Sequence, residues 1–338
     1  NRGPAEPRYT QERFGKTISM YIPMYITNSC TNSCIYCGFN HHNKFDRVIL
    51  TMEQIEDECK AIRALGPFEN LLLVTGENPR AAGVDYIEQA LKVCRPYFNN
   101  LTIEVTADWR ARTTTALTQS GLNGVVCFQE TYNRANYNIY HPAGMKSKFG
   151  WRVNGFDRMG QAGVHKIGMG VLIGLEEWRT DVTMMALHLQ YLRKHYWKTR
   201  YSVNFPRMCP SEGHFQPNVV MTDRELAQLT FAFRIFDHDV DISFSTREKP
   251  SFRNHIATLG ATSMSADRKP IRAATIPIPS PSNSSPSATN AHRPRSKPTS
   301  AAKGTKSSGK TGTKSSTDDG GTLRTQTMLP EIGEQGQR

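Results

Sequence analysis

The sequence predicts an α/β fold built as a parallel-stranded barrel, complete or partial, with a disordered C-terminal tail. Short apolar runs alternate with amphipathic stretches over residues 18–265. The runs are β-branched or continuously apolar, as in parallel strands buried on both faces. Polar and charged residues follow most of the runs, where the carboxyl ends of barrel strands place active sites. Strand–helix alternation of this length indicates βαβ units, and hence a barrel.

The predicted strands follow one another at spacings that leave room for a helix between most of them. In chain order they cover residues 19–27, 70–76, 101–105, 124–129, 166–174, 201–206, 241–246 and, on a weaker pattern, 260–265.

Two of the intervening helices carry explicit start signals. Thr51 and Gln54 have the spacing of a capping box, and the helix that follows places apolar residues such as Ile55 on one face. Thr222 and Glu225 repeat the device before a second amphipathic stretch. Both segments are therefore predicted to begin as capped helices.

Charge is distributed unevenly along the 338 residues. The formal net charge is +12, but residues 267–338 hold 12 Lys and Arg against 5 Asp and Glu. This segment is rich in Ser, Thr, Pro, Gly and Lys, so it cannot bury enough apolar surface to fold. We therefore expect a barrel (18–266) followed by a disordered low-complexity tail (267–338). Because the chain begins at Asn1 without methionine, residues 1–17 are expected to be the remnant of a longer N-terminal region.

The cysteine content argues against a secreted protein. The count of seven is odd, and three of the cysteines are clustered, which does not fit a disulfide framework. No apolar run approaches the ~20 residues of a membrane span. The chain begins at Asn1 without methionine, so a lost targeting segment stays open. A reducing compartment, the cytoplasm, is the expected location, with no membrane and no nucleic acid as partners.

The stretch "NSCTNSCIYCGF" is the strongest chemical signal. Cys30, Cys34 and Cys37 form C-x3-C-x2-C directly after the first predicted strand. Iron–sulfur clusters are held by cysteine thiolates, and three ligands leave one iron of a four-iron cluster open to a small chelating molecule. Tyr36 stands before the last cysteine as an aromatic that can shield the cluster. A zinc loop or incidental thiols are the alternative, although no second pair of zinc ligands is visible.

This motif resembles that of the radical S-adenosylmethionine (SAM) enzymes, in which SAM chelates the open iron of a 4Fe–4S cluster. The segments "LLLVTGE", "FQETYN", "HKIGMGVLIGLEEWRTD" and "SFSTRE" narrow the resemblance, over roughly residues 10–266, to the 2-iminoacetate synthase family of thiamine biosynthesis. The resemblance implies a lyase that cleaves the Cα–Cβ bond of L-tyrosine. Its products would be 2-iminoacetate (dehydroglycine) and p-cresol, with SAM converted to methionine and 5′-deoxyadenosine through a 5′-deoxyadenosyl radical.

The resemblance also implies cofactor-binding residues: Tyr36, Thr75, Gly76, Glu77, Glu104, Glu130, Arg152, Gly170 and Ile173. Glu77 would accept the SAM ammonium, Glu130 the ribose hydroxyls, and Arg152 would bind the SAM carboxylate through its forked donors. Gly170 lies in the strand expected to pack against adenine. The alternatives are a helix cap at residues 75–77, surface charges at Glu130 and Arg152, and an ordinary buried strand at Gly170.

Substrate contacts are expected at a strand end further along the chain. Ser245, Arg247 and Glu248 in "STRE", with Arg207 as a further candidate, supply the charges that bind the carboxylate and amine of tyrosine. An Arg–Glu salt bridge is the alternative. The implied cofactors are a 4Fe–4S cluster, SAM and an external one-electron reductant. The implied protein partner is thiazole synthase.

The chain departs from the family in several places. "EVTADW" (104–109), "RVNGFDR" (152–158) and "FPRMCP" (205–210) stand where the family has other residues, which puts activity in doubt. After Ala266 the family continues much like "GSKTDPGGY", whereas this chain reads "DRKPIRAAT". A nucleotide sequence that encodes "DRKPIRAAT" can be written so that, with one extra base in front, it encodes "GSKTDPGGY". We therefore hypothesise that the tail is out-of-frame translation.

Three other functions remain as alternatives. The first is another radical lyase of aromatic amino acids, of the hydrogenase-maturation type. That relative carries a C-terminal cysteine motif, and no cysteine follows Cys209 here. The second is a nucleic-acid-binding protein with a basic tail, which steep salt dependence of binding would reveal. The third is an inactive, truncated or frameshifted product.

Overall fold

A computed structural model describes residues 6–105, 111–208, 215–266 and 306–308. The strands are β1 (Thr17–Thr27), β2 (Asn70–Thr75), β3 (Asn100–Glu104), β4 (Leu122–Glu130), β5 (Lys166–Val171), β6 (Arg200–Asn204), β7 (Asp241–Phe244), β8 (Ser263–Ser265) and β9 (Lys306–Ser308). The helices are α1 (Glu6–Phe14), α2 (Met52–Leu65), α3 (Val84–Cys94), α4 (Ala111–Gln119), α5 (Tyr137–Tyr140), α6 (Phe149–Val153), α7 (Gly155–Gln161), α8 (Trp178–His195), α9 (Asp223–Phe236) and α10 (Pro250–Ile256), with a 3₁₀ turn at Met145–Ser147.

Strands β1 to β8 close into a complete parallel barrel. Each pairs with the next in parallel, and β1 pairs with β2 on one side and with β8 on the other. The closing register joins Tyr21 to Asn70 and Ser19 to Ser263. The prediction of an α/β barrel is confirmed, and its two forms are resolved in favour of the complete one. The eighth strand, predicted on the weakest pattern, provides the closure.

The predicted helix starts are also confirmed. Thr51 caps α2 and Thr222 caps α9, each in a reciprocal capping box with the Gln or Glu three residues later. The apolar side of α2, including Ile55 and Cys59, is fully buried against the barrel. The caps satisfy backbone donors at the helix start, and the apolar face fixes the rotation of the helix.

The inner face of the barrel is more polar than predicted, because the sequence indicated strands with apolar surroundings on both faces. Small and polar side chains, including Asn70, Thr102, Ser202 and Ser243, line a cavity of about 910 Å³ that includes its opening to solvent. Their strand neighbours point outward and form the core under the helices. Barrel interiors are usually filled by branched aliphatic side chains. Here the small inner side chains leave space for a molecule.

The predicted domain limits stay a prediction. Residues 267–338 lie outside the described residues except for β9, whose backbone pairs in parallel with Thr17–Ser19. Cys209 also lies outside them, as do residues 106–110 of the divergent "EVTADW" segment. Among the helices that the structure describes, none combines the length and apolar character needed to cross a membrane.

Candidate active site

The three predicted metal ligands lie on one loop that leaves the carboxyl end of β1. Cys37 N donates to Cys34 O over 3.1 Å, which makes a tight turn between these two cysteines. The guanidinium of Arg47 stabilises the loop through hydrogen bonds to backbone carbonyls. It donates to the backbone carbonyls of Asn28, Phe39, Asn40 and Asn43 over 2.6–3.1 Å. The loop conformation is therefore fixed by one internal cation.

One of the three cysteines is buried, and the other two are partly exposed. Cys34 is buried, and burial raises the pKa of its thiol to about 12, although the nearby Lys146 charge opposes this rise. The Asn32 side-chain amide lies 3.8 Å from Cys30 Sγ as a donor to sulfur. A metal would displace the thiol protons, and hydrogen bonds to sulfur tune iron–sulfur clusters.

This donor set fits a cluster better than a single ion. In the part of the chain that the structure describes, no three His, Cys, Asp or Glu side chains are arranged around a point where one metal ion could bind. A four-iron cluster binds each cysteine through a different iron, so its ligands surround a volume and do not converge on a point. The arrangement thus differs from a tetrahedral zinc site, the alternative left open by the sequence.

Glu77, at the carboxyl end of β2, connects the cysteine loop to the next layer. Its carboxylate accepts from the Asn32 amide and lies 3.6 Å from Arg152 Nη1. Arg152 is buried, and its Nε donates to Phe128 O over 2.8 Å. Among the residues that the structure describes, none forms a hydrogen bond with its Nη1. The sequence predicts that Arg152 binds the SAM carboxylate, and this stays a prediction. The observed contacts hold Glu77 and the end of β4.

The chain before Glu77 passes unusually close to the cysteine loop. A Cβ on Gly76 would lie 2.3 Å from Ser29 O, so only glycine fits. Gly76 N donates to Thr27 O, and Glu77 O accepts from Thr31 N, both over 2.8 Å. Glycine at this position therefore lets β2 dock against the loop. The predicted neighbour Thr75 donates through its hydroxyl to Glu104 O over 3.3 Å.

Glu130 ends β4 in a conformation that is uncommon outside glycine. Its φ is +70°, in the left-handed region, and such strained residues cluster at functional sites. Its carboxylate pairs with Lys146 Nζ over 2.5 Å. Sequence reasoning did not find Lys146, because "GMKSK" resembles an ordinary solvated loop. The pair is nearly buried, which differs from the surface ion pair considered for Glu130.

The segment after Glu130 is held by Asp181, a second residue that the sequence did not identify. One oxygen of this buried carboxylate accepts from Thr131 Oγ1 over 3.0 Å and from Tyr132 N over 2.7 Å. Burial raises the pKa of Asp181 to about 6, against the effect of these hydrogen bonds. Asp181 lies in the first turn of α8, so one helix start fixes the exit of β4.

The raised pKa of Asp181 predicts a pH-dependent gain from Asp181→Asn. Between about pH 4 and pH 6 the folded chain retains a proton that the unfolded chain has lost, so wild-type stability falls as the pH rises through this window. Asparagine keeps the accepting oxygen and never ionises. The variant should gain about 1–2 kcal/mol relative to wild type from pH 4 to pH 7, after allowance for the helix dipole. Thermal unfolding at both pH values measures this.

Asp181→Ala is the matched comparison, because it removes the same charge together with both hydrogen bonds. We expect it to unfold at a lower temperature than Asp181→Asn at every pH. Equal pH profiles for wild type and Asp181→Asn would contradict the assigned titration.

The orientation of the Tyr36 side chain is fixed by His141, the residue that follows α5. His141 Nδ1 lies 2.9 Å from Tyr137 O and must donate to it, so its Nε2 accepts from Tyr36 OH over 2.7 Å. Burial lowers the pKa of His141 to about 2, so the ring stays neutral and this arrangement persists. The predicted aromatic neighbour of Cys37 thus has a fixed orientation.

The predicted substrate residues separate into two groups. Arg207 pairs with Glu248 and, over 2.7 Å, with Asp223. Its Nη1 also donates to Met221 O. This is the Arg–Glu salt bridge that the sequence left open, formed by Arg207 in place of Arg247. The pair fixes the loop after β7 and leaves little of either side chain for a ligand.

Arg247 and Ser245 remain candidates for the substrate. Arg247 is exposed, and its charge acts on Glu104 at the end of β3. Burial raises the pKa of Glu104, and Arg247 opposes the rise. Glu104 also lines the barrel cavity. An acid at the end of β3 and a cation after β7 thus lie close enough for their charges to interact.

The remaining predicted cofactor residues lie in and after β5. A Cβ on Gly170 would lie 1.9 Å from the Phe128 ring, so this ring already covers the glycine. Ile173 is buried, and its N donates to Pro206 O over 2.9 Å. Ile173 also forms a parallel bridge with Arg207, so its backbone is held against the segment after β6. Their predicted adenine contacts stay predictions.

Comparison with known families gives two matches. The Radical SAM superfamily model matches residues 24–186, which include the cysteine loop, Glu77, Glu130 and Arg152. The Biotin and Thiamin Synthesis associated domain model matches residues 204–318. The second match extends past Ala266 into the segment predicted as a tail.

Individual relatives agree with these families. The chain is 44% identical to 2-iminoacetate synthase of Salmonella typhimurium over 263 residues and 45% identical to that of Escherichia coli over 264 residues. Each match covers 78% of this chain and 69% of the relative. The crystal structure of HydG, a maturase of the [FeFe]-hydrogenase, matches with a TM-score of 0.74 at 27% identity. It covers 77% of this chain, which spans only 59% of the maturase.

Proposed function

Because the chain belongs to the radical SAM superfamily and, within it, to the 2-iminoacetate synthase family, we propose that it is the tyrosine lyase that makes 2-iminoacetate. The reaction cleaves the Cα–Cβ bond of L-tyrosine to 2-iminoacetate and p-cresol, for the thiazole moiety of thiamine. SAM is converted to methionine and 5′-deoxyadenosine. The observation that carries the proposal is the rigid three-cysteine loop at the mouth of a closed barrel with an open interior.

The cofactors required are a 4Fe–4S cluster, held by Cys30, Cys34 and Cys37, and SAM. When bound, they supply one-electron chemistry that removes a hydrogen atom from tyrosine. The protein itself binds the cofactors and the substrate, orients them and shields them from solvent. Glu77, fixed by Asn32 and Arg152, is the acceptor for the SAM ammonium, and Glu130 is the acceptor for its ribose.

Substrate binding uses the opposite charges at the barrel mouth. Tyrosine is a zwitterion, so its carboxylate needs a cation and its amine an acceptor. Arg247 is the proposed carboxylate ligand, since Arg207 is already paired with Glu248 and Asp223. Ser245 lies beside it, with its hydroxyl accepting from Arg247 N over 3.4 Å.

The decisive assay is anaerobic. The purified chain is reconstituted with iron and sulfide, then incubated with SAM, tyrosine and dithionite. We expect p-cresol and 5′-deoxyadenosine, detected by chromatography. SAM cleavage without p-cresol would refute the tyrosine lyase and leave the cofactor assignment intact. The hydrogenase-maturation type stays the alternative, and the 27% identity to HydG supports it less well.

We also infer the cellular context. All six described cysteines are free, including Cys59 and Cys94, whose sulfurs lie 3.6 Å apart. Thiols at this distance persist in a reducing compartment, which supports the cytoplasm. Thiazole synthase is the proposed partner, because the imine product hydrolyses readily and needs direct transfer. Co-purification of the two proteins tests this partnership.

A further inference from the structure

Lys146 is a nearly buried cation in direct contact with the cysteine loop. Its side chain is 11% exposed, and its Nζ lies 5.8 Å from the centre of the Tyr36 ring. Its backbone N donates to Asn32 Oδ1 over 3.0 Å. Asn32 stands between Cys30 and Cys34, and Tyr36 precedes Cys37. The lysine therefore touches both halves of the three-cysteine motif.

The backbone that carries Lys146 is packed against this loop. A Cβ on Gly144 would lie 2.2 Å from Asn32 Oδ1. Ser33 N donates to Ala143 O, and Ile35 N donates to Tyr140 O, both over 3.1 Å. These contacts fix the backbone of the segment against the loop. The ammonium itself is held by its ion pair with Glu130.

The charges around Lys146 show why a cation is retained there. Glu130 pairs with it, and the charges of Glu77 and Glu104 also interact with that of Lys146. Burial, the largest single effect, lowers the pKa of Lys146, but the negative charges around it, with Glu130 first among them, together raise it. Arg152, the second buried cation, is committed to Phe128 O and Glu77. Lys146 thus places its ammonium beside the cysteine loop, between Glu130 and the Tyr36 ring.

We propose that Lys146 is a positioning residue that holds Glu130 in its strained conformation and supplies positive charge that favours the reduced state of the cluster. The proposal rests on the cluster assignment made above. One electron passes from an external one-electron donor, such as dithionite, to the oxidised cluster, which gains one negative charge. A buried cation close to this charge stabilises it, because charge interactions are strong in a poorly solvated cavity.

The test is a potentiometric titration of the reconstituted protein without SAM, followed by electron paramagnetic resonance. Lys146→Met should raise the ratio of oxidised to reduced cluster about tenfold at the wild-type midpoint, a shift of 59 mV towards negative potential for a one-electron couple. Lys146→Arg, which keeps the charge, should restore the ratio to within about twofold. Neither result depends on tyrosine, so failure of the lyase assignment is distinguishable from failure here.

Lys148→Met is the matched control. Lys148 is exposed and lies two residues along the same segment, so its loss removes an equal charge outside the cavity. We expect its titration curve to overlay the wild type. Equal shifts in both Met variants, or no shift in Lys146→Met at full iron content, would overturn the proposal. If Lys146→Met does not hold the cluster, Lys146→Gln, whose amide can still donate to Glu130, replaces it. Loss of the cluster in both variants, with Lys146→Arg intact, would mean an assembly role and also overturn it.

Discussion

Cys34→Ala is expected to abolish both the broad visible absorbance of the reconstituted protein and its p-cresol production. Cys34 is the buried middle ligand of the motif, and its carbonyl also accepts from Cys37 N and from the Asn40 amide. Two thiolates cannot retain a four-iron cluster with an open iron. The loss of activity should exceed the roughly 100-fold that outer contacts of a metal site contribute. Iron content, absorbance and p-cresol are measured together.

Cys94→Ala is the control for general damage from removing a buried thiol. Cys94 is fully buried in α3, away from the loop, with its sulfur beside that of Cys59. This variant should keep its iron and its p-cresol yield and lose roughly 1 kcal/mol of stability to the small cavity. A Cys34→Ala protein that still contains four irons and makes p-cresol would refute the assigned ligands.

Among substitutions that add a single methyl group, Gly76→Ala is expected to have the largest effect on stability and on cluster content. The new Cβ would lie 2.3 Å from Ser29 O and 2.9 Å from Asn28 C, both backbone atoms that no side-chain rotation can move. Either β2 or the cysteine loop must shift. We expect a loss of about 3 kcal/mol, which lowers the melting temperature by roughly 6–10 °C, and a cluster content reduced at least severalfold.

Gly150→Ala is the matched control, because the same methyl group there meets no atom within 4 Å. Gly150 lies in α6, where alanine is the better helix former by about 0.5–1 kcal/mol. This variant should melt at the wild-type temperature or above it and bind the cluster normally. Similar behaviour of the two variants would show that the close approach at Gly76 is not structurally required.

The architecture of the barrel was predictable because it depends on local signals. Apolar runs marked the strands, Thr51 and Thr222 marked helix starts, and strand–helix alternation indicated a parallel barrel, whose closure became visible only in the structure. The three cysteines could be proposed as cluster ligands from the sequence, since their spacing is written in nearby residues. Strand-end residues such as Glu77 and Glu130 were identified because parallel strands deliver their carboxyl ends to one rim.

Pairing between distant side chains was not predictable. Lys146 reaches Glu130 because the segment after β4 folds back over the cysteine loop, and no periodicity encodes that return. Arg207 forms ion pairs with Glu248 and Asp223, which belong to two other segments of the chain. In the sequence, by contrast, it is Arg247 that stands beside Glu248. Asp181 lies in the first turn of a helix, where acidic residues are common, so nothing in the sequence singled it out. The small residues facing the barrel cavity became visible only when the inward face of each strand was known.

The position of β1 at the seam of the barrel has a consequence for biosynthesis. The strand that carries the cysteine loop is hydrogen-bonded to β2, which is synthesised soon after it, and to β8, the last strand of the eight-stranded barrel to be synthesised. Its thiols are therefore made early, while the barrel beneath them is closed late. A cluster would gain its full protein scaffold only after Ser265 has left the ribosome.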